Sequence, residues 1–141
     1  MKWYKVCNRI SLLLHALCST AGYFLIEAIS RGIDMFDCVM PTRNGRNALL
    51  FTYNGTMNMR NKKWENDFSP IDEDGCEVDK VYTKAYLHHL FKAKELLAMQ
   101  IGSIHNLAFY LRLVTDARNH IEKGDFVAWK NSIIDQLGQR L

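Results

Sequence analysis

The chain has 141 residues, of which 48% are apolar and 23% charged. That is the size of one domain or a piece of one, and the composition excludes a disordered tail, a collagen-like repeat and a low-complexity segment. The net charge of +3, from 18 basic against 15 acidic residues, neither demands nor excludes a polyanionic partner.

Lys2 and Lys5 precede an apolar run from Ile10 to Cys18, and Ser19, Thr20 and Ala21 follow it. This is the outline of a secretory signal. The run is too short to span a bilayer, which takes about 20 residues, and His15 interrupts it. The cysteines weigh the other way. Cys7, Cys18, Cys38 and Cys76 lie far apart in a chain too large to need staples, so a reducing, cytoplasmic compartment is expected rather than a disulfide framework.

Phe24 to Arg31 reads as the end of a helix, with Gly32 at the C′ position where positive φ is cheap. Ile33 to Met40 is a short apolar run between Gly32 and Pro41, the pattern of a buried strand. Helix, glycine and strand in that order predict an αβ unit of a parallel sheet. Thr42 to Asn47 is expected as a polar, basic loop. Ala48 to Arg60 predicts a hairpin turning at Asn54-Gly55, a pair suited to a type I′ turn. Asn61 to Lys80, broken by Pro70 and Gly75, is expected as loop.

The remainder is predicted helical. Tyr86, Leu90, Ala93, Leu97, Ile101, Ile104, Ala108 and Leu111 step by threes and fours as one apolar stripe. Gly102-Ser103 is expected to divide it into two helices, Ser103 capping the second. Gly124 ends that helix, and Asp125 is placed to cap a last one from Phe126 to Leu137.

Charge is segregated in the middle. Between Cys38 and Trp64 the charged residues are Arg43, Arg46, Arg60, Lys62 and Lys63; between Glu65 and Asp79 all are acidic. Either two solvated loops attract each other, or the basic one faces phosphate. Asp37 is the first candidate for chemistry. A carboxylate at the C-terminal end of a strand sits where α/β folds place their sites. Its neighbours Met35, Phe36, Val39 and Met40 are apolar, so an ionised Asp37 must be hydrogen-bonded or face a cleft. Thr42, Arg43, Asn44 and Arg46 follow as donors for phosphate, ribose or base edges. The alternative is an aspartate paired with Arg43 or Arg46 to fix the loop. Asp34 and Cys38, at odd spacing from Asp37, are expected on the opposite face of the strand, the first structural and the second an inert thiol.

The run Gly32-Ile33-Asp34-Met35-Phe36-Asp37-Cys38-Val39-Met40-Pro41-Thr42-Arg43-Asn44-Gly45-Arg46-Asn47 resembles the signature of bacterial tRNA-guanine transglycosylases, the queuine tRNA-ribosyltransferase family. The similarity continues through Asn58-Met59-Arg60-Asn61, Lys84-Ala85-Tyr86-Leu87-His88-His89-Leu90 and Glu95-Leu96 to His105-Asn106-Leu107-Ala108-Phe109-Tyr110. The resemblance implies the C-terminal part of a (β/α)8 TIM barrel, with an inserted hairpin and zinc-subdomain-like region and C-terminal helices. It implies exchange of guanine for a 7-deazaguanine base at the tRNA wobble position, with the residue matching Asp37 as nucleophile toward C1′. Thr42, Arg43, Asn44, Gly45 and Arg46 match the RNA-binding, wobble-recognition stretch. A homodimer is implied for the full-length family, and no membrane association.

The implied zinc ligands are Cys-x-Cys-x-x-Cys and a later histidine. At those positions this chain has Asp74, Cys76, Asp79 and His105. Two thiolates have become carboxylates, whereas structural zinc sites are Cys- and His-rich. Only Cys76 and His105 keep the expected ligand type, and no metal is assigned. The alternative is a metal-free loop held by its acids against Lys62, Lys63 and Lys80, with His105 a partnered helix residue. His88 and His89, adjacent on a helix, cannot share a ligand face.

A (β/α)8 barrel takes about 250 residues, so 25–141 is read as the C-terminal part of the domain and 1–24 as a non-family segment, mis-framed or signal-like. The resemblance places the family's first catalytic aspartate, its base-recognition residues and its Gly-rich substrate loop upstream of Asp37, where none has a counterpart here, and base exchange by the isolated chain is not expected. A non-catalytic tRNA-binding module or partner subunit, and a secreted small α/β protein, stay open as other readings.

Overall fold

The computed structural model describes residues 22–141; the signal-like run and most of the 1–24 segment lie outside them. The elements are α1 (Gly22–Ser30), α2 (Met40–Arg46), β1 (Leu49–Thr52), β2 (Gly55–Asn58), a 3₁₀ turn (Lys62–Trp64), α3 (Glu77–Val81), α4 (Lys84–Ala93), α5 (Leu96–Lys123) and α6 (Phe126–Leu137). The fold is mixed and mostly helical. No helix among the described residues is long and apolar enough to cross a membrane.

The hairpin sits at the centre. β1 and β2 pair antiparallel, with Leu50 opposite Met57 and Phe51 opposite Thr56. Because strand side chains alternate, Leu50 and Met57 enter one core with Met59, Trp64, Ile71, Leu87, Leu90, Ala98 and Ile101. Phe51 enters another with Ile26, Phe109, Leu113, Ala117 and Leu137. The unbroken Leu49-Leu50-Phe51 run is thus a strand buried on both faces.

The turn differs from the expected one. Thr52 pairs with Gly55, so Tyr53 and Asn54 occupy the turn and Gly55, at φ +135°, begins the second strand. The C-terminus explains the glycine. A Cβ on Gly55 would stand 2.8 Å from the carbonyl oxygen of Gln139. Beside it, Thr56 N donates to Gln139 O at 2.9 Å and Leu141 N donates to Thr56 O at 2.9 Å.

Gly32 ends α1 as expected, at φ +87°. Gly32 N donates to Ile29 O and Ile33 N to Ala28 O, at 2.9 and 3.1 Å, which is a Schellman closure. The predicted buried strand from Ile33 to Met40 does not form. Residues 33–39 run as irregular chain, exposed except for half-buried Ile33 and Phe36. A strand needs a neighbour for its N–H and C=O groups, and among the described residues neither β1 nor β2 pairs with this stretch. The predicted loop after it is instead helix α2, in which Pro41 takes a first-turn position where its missing N–H costs nothing. Within the predicted 61–80 loop, α3 forms, and Asp79 accepts from Cys76 N at 2.8 Å across its first turn.

The break between the long helices lies at Lys94, in the left-handed conformation at φ +61°, not at Gly102-Ser103. α5 runs through that pair, and Ser103 Oγ donates to Met99 O at 2.7 Å instead of capping. Gly102 is there for packing. A Cβ on it would lie 2.6 Å from Gly45 O, and a Cβ on Gly45 would lie 2.4 Å from Gly102 O. Backbone therefore meets backbone where α2 crosses α5. The buried face of α5 is Ala98, Ile101, Gly102, His105, Asn106, Phe109, Leu113 and Ala117. Tyr86, Ile104 and Leu111 of the predicted stripe are exposed, because the stripe crosses the Lys94 break and passes over the buried polar positions. The Gly124–Asp125 boundary and α6 form as predicted. The Asp125 side chain, however, accepts from His120 Nδ1 at 2.7 Å rather than from α6.

Candidate active site and the polar joint behind it

Residues 33–41 lie against α1 and α5 and enclose a largely apolar cleft of about 380 Å³, lined among others by Phe24, Phe36, Leu107, Tyr110 and Leu111. Asp37 lines this cleft. It is exposed and forms no ion pair with Arg43 or Arg46, so the loop-fixing alternative is not what is seen. Asp34 and Cys38 line the same cleft, contrary to the expected opposite faces; that separation holds only for a pleated strand.

α2 follows three residues after Asp37. Arg43 and Arg46 are exposed and three apart on the helix, hence on neighbouring faces. Neither lines the Asp37 cleft. Arg46 borders a separate one with Leu96, Met99, Gln100, Ser103 and Ile104. Thr42 Oγ1 donates to Val39 O at 3.3 Å, and Asn44 is half-buried, with Nδ2 3.7 Å from Met40 Sδ. Gly45 is buried against Gly102. Its place is in the helix crossing that presents the two arginines.

No ion pair joins the basic residues Arg43, Arg46, Arg60, Lys62 and Lys63 to the acidic 65–79 segment among the described residues. The acids instead pair with Lys84, Lys92, His105 and Arg112. Lys63 lies over the Trp64 ring, 4.4 Å from its centroid. The family-like Asn58–Asn61 stretch is a turn: Asn58 Oδ1 accepts from Arg60 N at 3.0 Å and Asn58 O from Trp64 Nε1 at 2.9 Å. His88 is buried with Nδ1 2.7 Å from Met59 O, and His89 is exposed.

Sequence reasoning missed Asn106. Its side chain is fully buried, at 0% exposure. Oδ1 accepts from Phe51 N at 3.1 Å, and Nδ2 donates to Pro41 O and Leu49 O, both at 2.9 Å. One primary amide thus does for β1 what a neighbouring strand would do, and fastens the start of α2 to it. The available signal was a polar residue at a buried position of a helical stripe.

His105, one residue earlier, is 1% exposed, as is Asp79. Its Nδ1 stands 2.6 Å from Asp79 Oδ1 and its Nε2 stands 2.9 Å from Phe51 O. Burial pushes the Asp79 carboxyl up, but its bonds to His105 and the charge there more than offset this, holding it below its ordinary value. Burial and the neighbouring Asp79 push the Cys76 thiol up. Asp74 is exposed. Among the described residues no three His, Cys, Asp or Glu side chains stand together as a metal site would need.

The sequence profile of the family described as "Queuine tRNA-ribosyltransferase" matches residues 20–139. A protein of that name from Helicobacter pylori strain HPAG1 is 50% identical over 117 residues, covering 82% of this chain and 32% of the relative. One of the same name from Clostridium acetobutylicum is 53% identical over 109 residues, covering 76% of this chain and 29% of the relative. The chain belongs to the queuine tRNA-ribosyltransferase family, a family of pentosyl-transferring enzymes. It spans about a third of the length of the curated relatives it matches.

Proposed function

We propose that this chain is the nucleophile-bearing, wobble-reading part of a tRNA base-exchange enzyme of queuosine synthesis, and that Asp37 attacks C1′ of the target ribose. The observation that carries the reading is an exposed carboxylate at the edge of an apolar cleft, immediately before a helix that presents two unpaired guanidinium groups. In the reaction an Asp37 oxygen bonds to C1′ as the bond from C1′ to guanine N9 breaks, and guanine leaves with a proton at N9. The incoming 7-deazaguanine loses a proton and attacks C1′ in turn, releasing Asp37. Two displacements on one carbon replace one difficult step. The target nucleotide must be extruded from its stack, and the apolar wall of the cleft suits an unstacked base.

The proton-handling carboxyl and the base pocket belong to the remaining length of a family-size barrel, for which the backbone at Met35 and Phe36 offers a point of attachment. The backbone groups of Met35 and Phe36 make no hydrogen bonds with the described residues, and Met35 is 73% exposed. The isolated chain therefore binds tRNA without base exchange; guanine incorporation by it would refute this. In a family-length enzyme carrying this stretch, Asp37→Asn abolishes the denaturant-stable RNA adduct and leaves tRNA binding nearly intact. An adduct that survives removes Asp37 from its role. Cytoplasm is the compartment that fits a tRNA substrate, and a homodimer the assembly that fits the family.

A second reading has its own support. Arg43, Arg46, Arg60, Lys62 and Lys63 are not neutralised by the neighbouring acids, which suits a non-catalytic tRNA-binding subunit. Steep salt dependence of binding without an adduct in the reconstituted enzyme would favour it.

A further inference from the structure

We propose that the cleft between residues 72–79 and α5 is closed by the protein's own cations, the His105 imidazolium and the Arg112 guanidinium, in place of the zinc ion that the family resemblance implies. The inference goes beyond the base-exchange reading and stands without it.

The donor chemistry carries the argument. A metal-bound histidine must offer a nitrogen lone pair. Phe51 O, 2.9 Å from Nε2, can only accept. The Asp79 carboxylate, 2.6 Å from Nδ1, accepts as well. Both ring nitrogens therefore donate, and neither has a lone pair to give. Asp79 is equally committed, since its second oxygen takes the Cys76 backbone N–H at 2.8 Å. The loop is moulded onto that carboxylate: a Cβ on Gly75 would stand 2.2 Å from Asp79 Oδ2.

Arg112 completes the closure. It lies two turns beyond His105 on α5 and lines the same small cleft as Asp72, Asp74, Cys76, Asp79 and His105. Its Nη1 donates to Asp74 O, its Nη2 stands 3.5 Å from Asp72 Oδ2, and its Cζ lies over the Tyr53 ring, 4.8 Å from the centroid. Tyr53 in turn donates to Asp116 at 2.5 Å. A fixed guanidinium in the cleft repels a divalent cation and neutralises the acids that would attract one. The change from thiolate to carboxylate at Asp79 thus substitutes one linkage for another: a short carboxylate–imidazolium bond joins the same two segments that a metal would join.

The test uses the full chain, expressed with zinc in the medium. Elemental analysis is expected to give fewer than about 0.1 zinc per chain, and the melting temperature is expected to move by less than about 1 °C on adding a chelator or zinc chloride. Nitrogen–proton NMR of the His105 ring is expected to show hydrogen on both nitrogens. Asp79→Asn is expected to lower the melting temperature by about 5 °C or more, with no recovery on adding zinc. Near-stoichiometric zinc, a chelator-induced fall of about 5 °C or more, a bare ring nitrogen on His105, or rescue of Asp79→Asn by zinc would each overturn the proposal. If Asp79→Asn does not fold, the metal content and the ring protons of the unsubstituted chain decide alone.

Discussion

The joint around His105 and Asn106 and the stretch from Ile33 to Val39 treat polar and apolar groups in opposite ways. In the joint, side chains that ordinarily face water are sealed in, and each ring or amide atom meets a partner. In the stretch, Met35 and Val39, which ordinarily lie inside, are exposed. The first region is complete within this chain. The second presents apolar side chains at the surface, beside the cleft that Asp37 lines. Sequence similarity covers both alike, so similarity alone does not separate what holds the domain together from what it presents.

Replacing Asn106 with Leu breaks the joint most directly. It leaves Phe51 N, Leu49 O and Pro41 O without their partner, at a cost of about 3–5 kcal/mol, read as a lower urea midpoint. Gly102→Ala comes next. Its Cβ would meet Gly45 O at 2.6 Å, and a clash with backbone costs about 1–3 kcal/mol. Because it pushes α2 off α5, it is also expected to weaken tRNA binding without touching a basic residue.

Acid supplies a smaller perturbation. The Ser69 hydroxyl and backbone N–H on Asp67, at 2.5 and 3.0 Å, aided by Lys84, hold its carboxyl below its ordinary value of 3.8. A depressed folded value means that the unfolded chain binds the proton first. The contribution is therefore present above about pH 4 and lost as pH falls through the folded value. Asp67→Asn is expected to lower the urea midpoint at neutral pH, with the gap from the unsubstituted chain closing in acid.

In the other region the expected stability effects are the smallest. Asp37→Asn, Arg43→Ala and Arg46→Ala should each change stability by no more than about 0.5 kcal/mol. Each arginine substitution should nevertheless reduce the salt slope of tRNA binding by about one unit. A large loss of stability on Asp37→Asn would erase the contrast between the two regions.

Much of the framework was legible. Gly32 and Gly124 mark helix ends because positive φ is cheap only there. The hairpin was visible in its two apolar arms, although its turn shifted by one residue to let the C-terminus pass Gly55. Asp37 stood out as a candidate because an acid among apolar neighbours needs a reason, and it lines the apolar cleft. The rest was hidden for two causes. Strand formation at 33–40 depends on a neighbour that local pattern does not reveal. The buried face of α5 runs through Gly102, His105 and Asn106, residues that a search for apolar periodicity skips, so the helix break was placed where the packing is closest.

The Asn106 amide also makes one proton an internal gauge. Phe51 N–H is held by a side chain from another element, 55 residues away, so it exchanges with solvent only when hairpin and long helix part. Its exchange rate with deuterium reports that separation at a single resonance, and any polynucleotide that stiffens the arginine-bearing helix through the Pro41 end of the same amide should slow it.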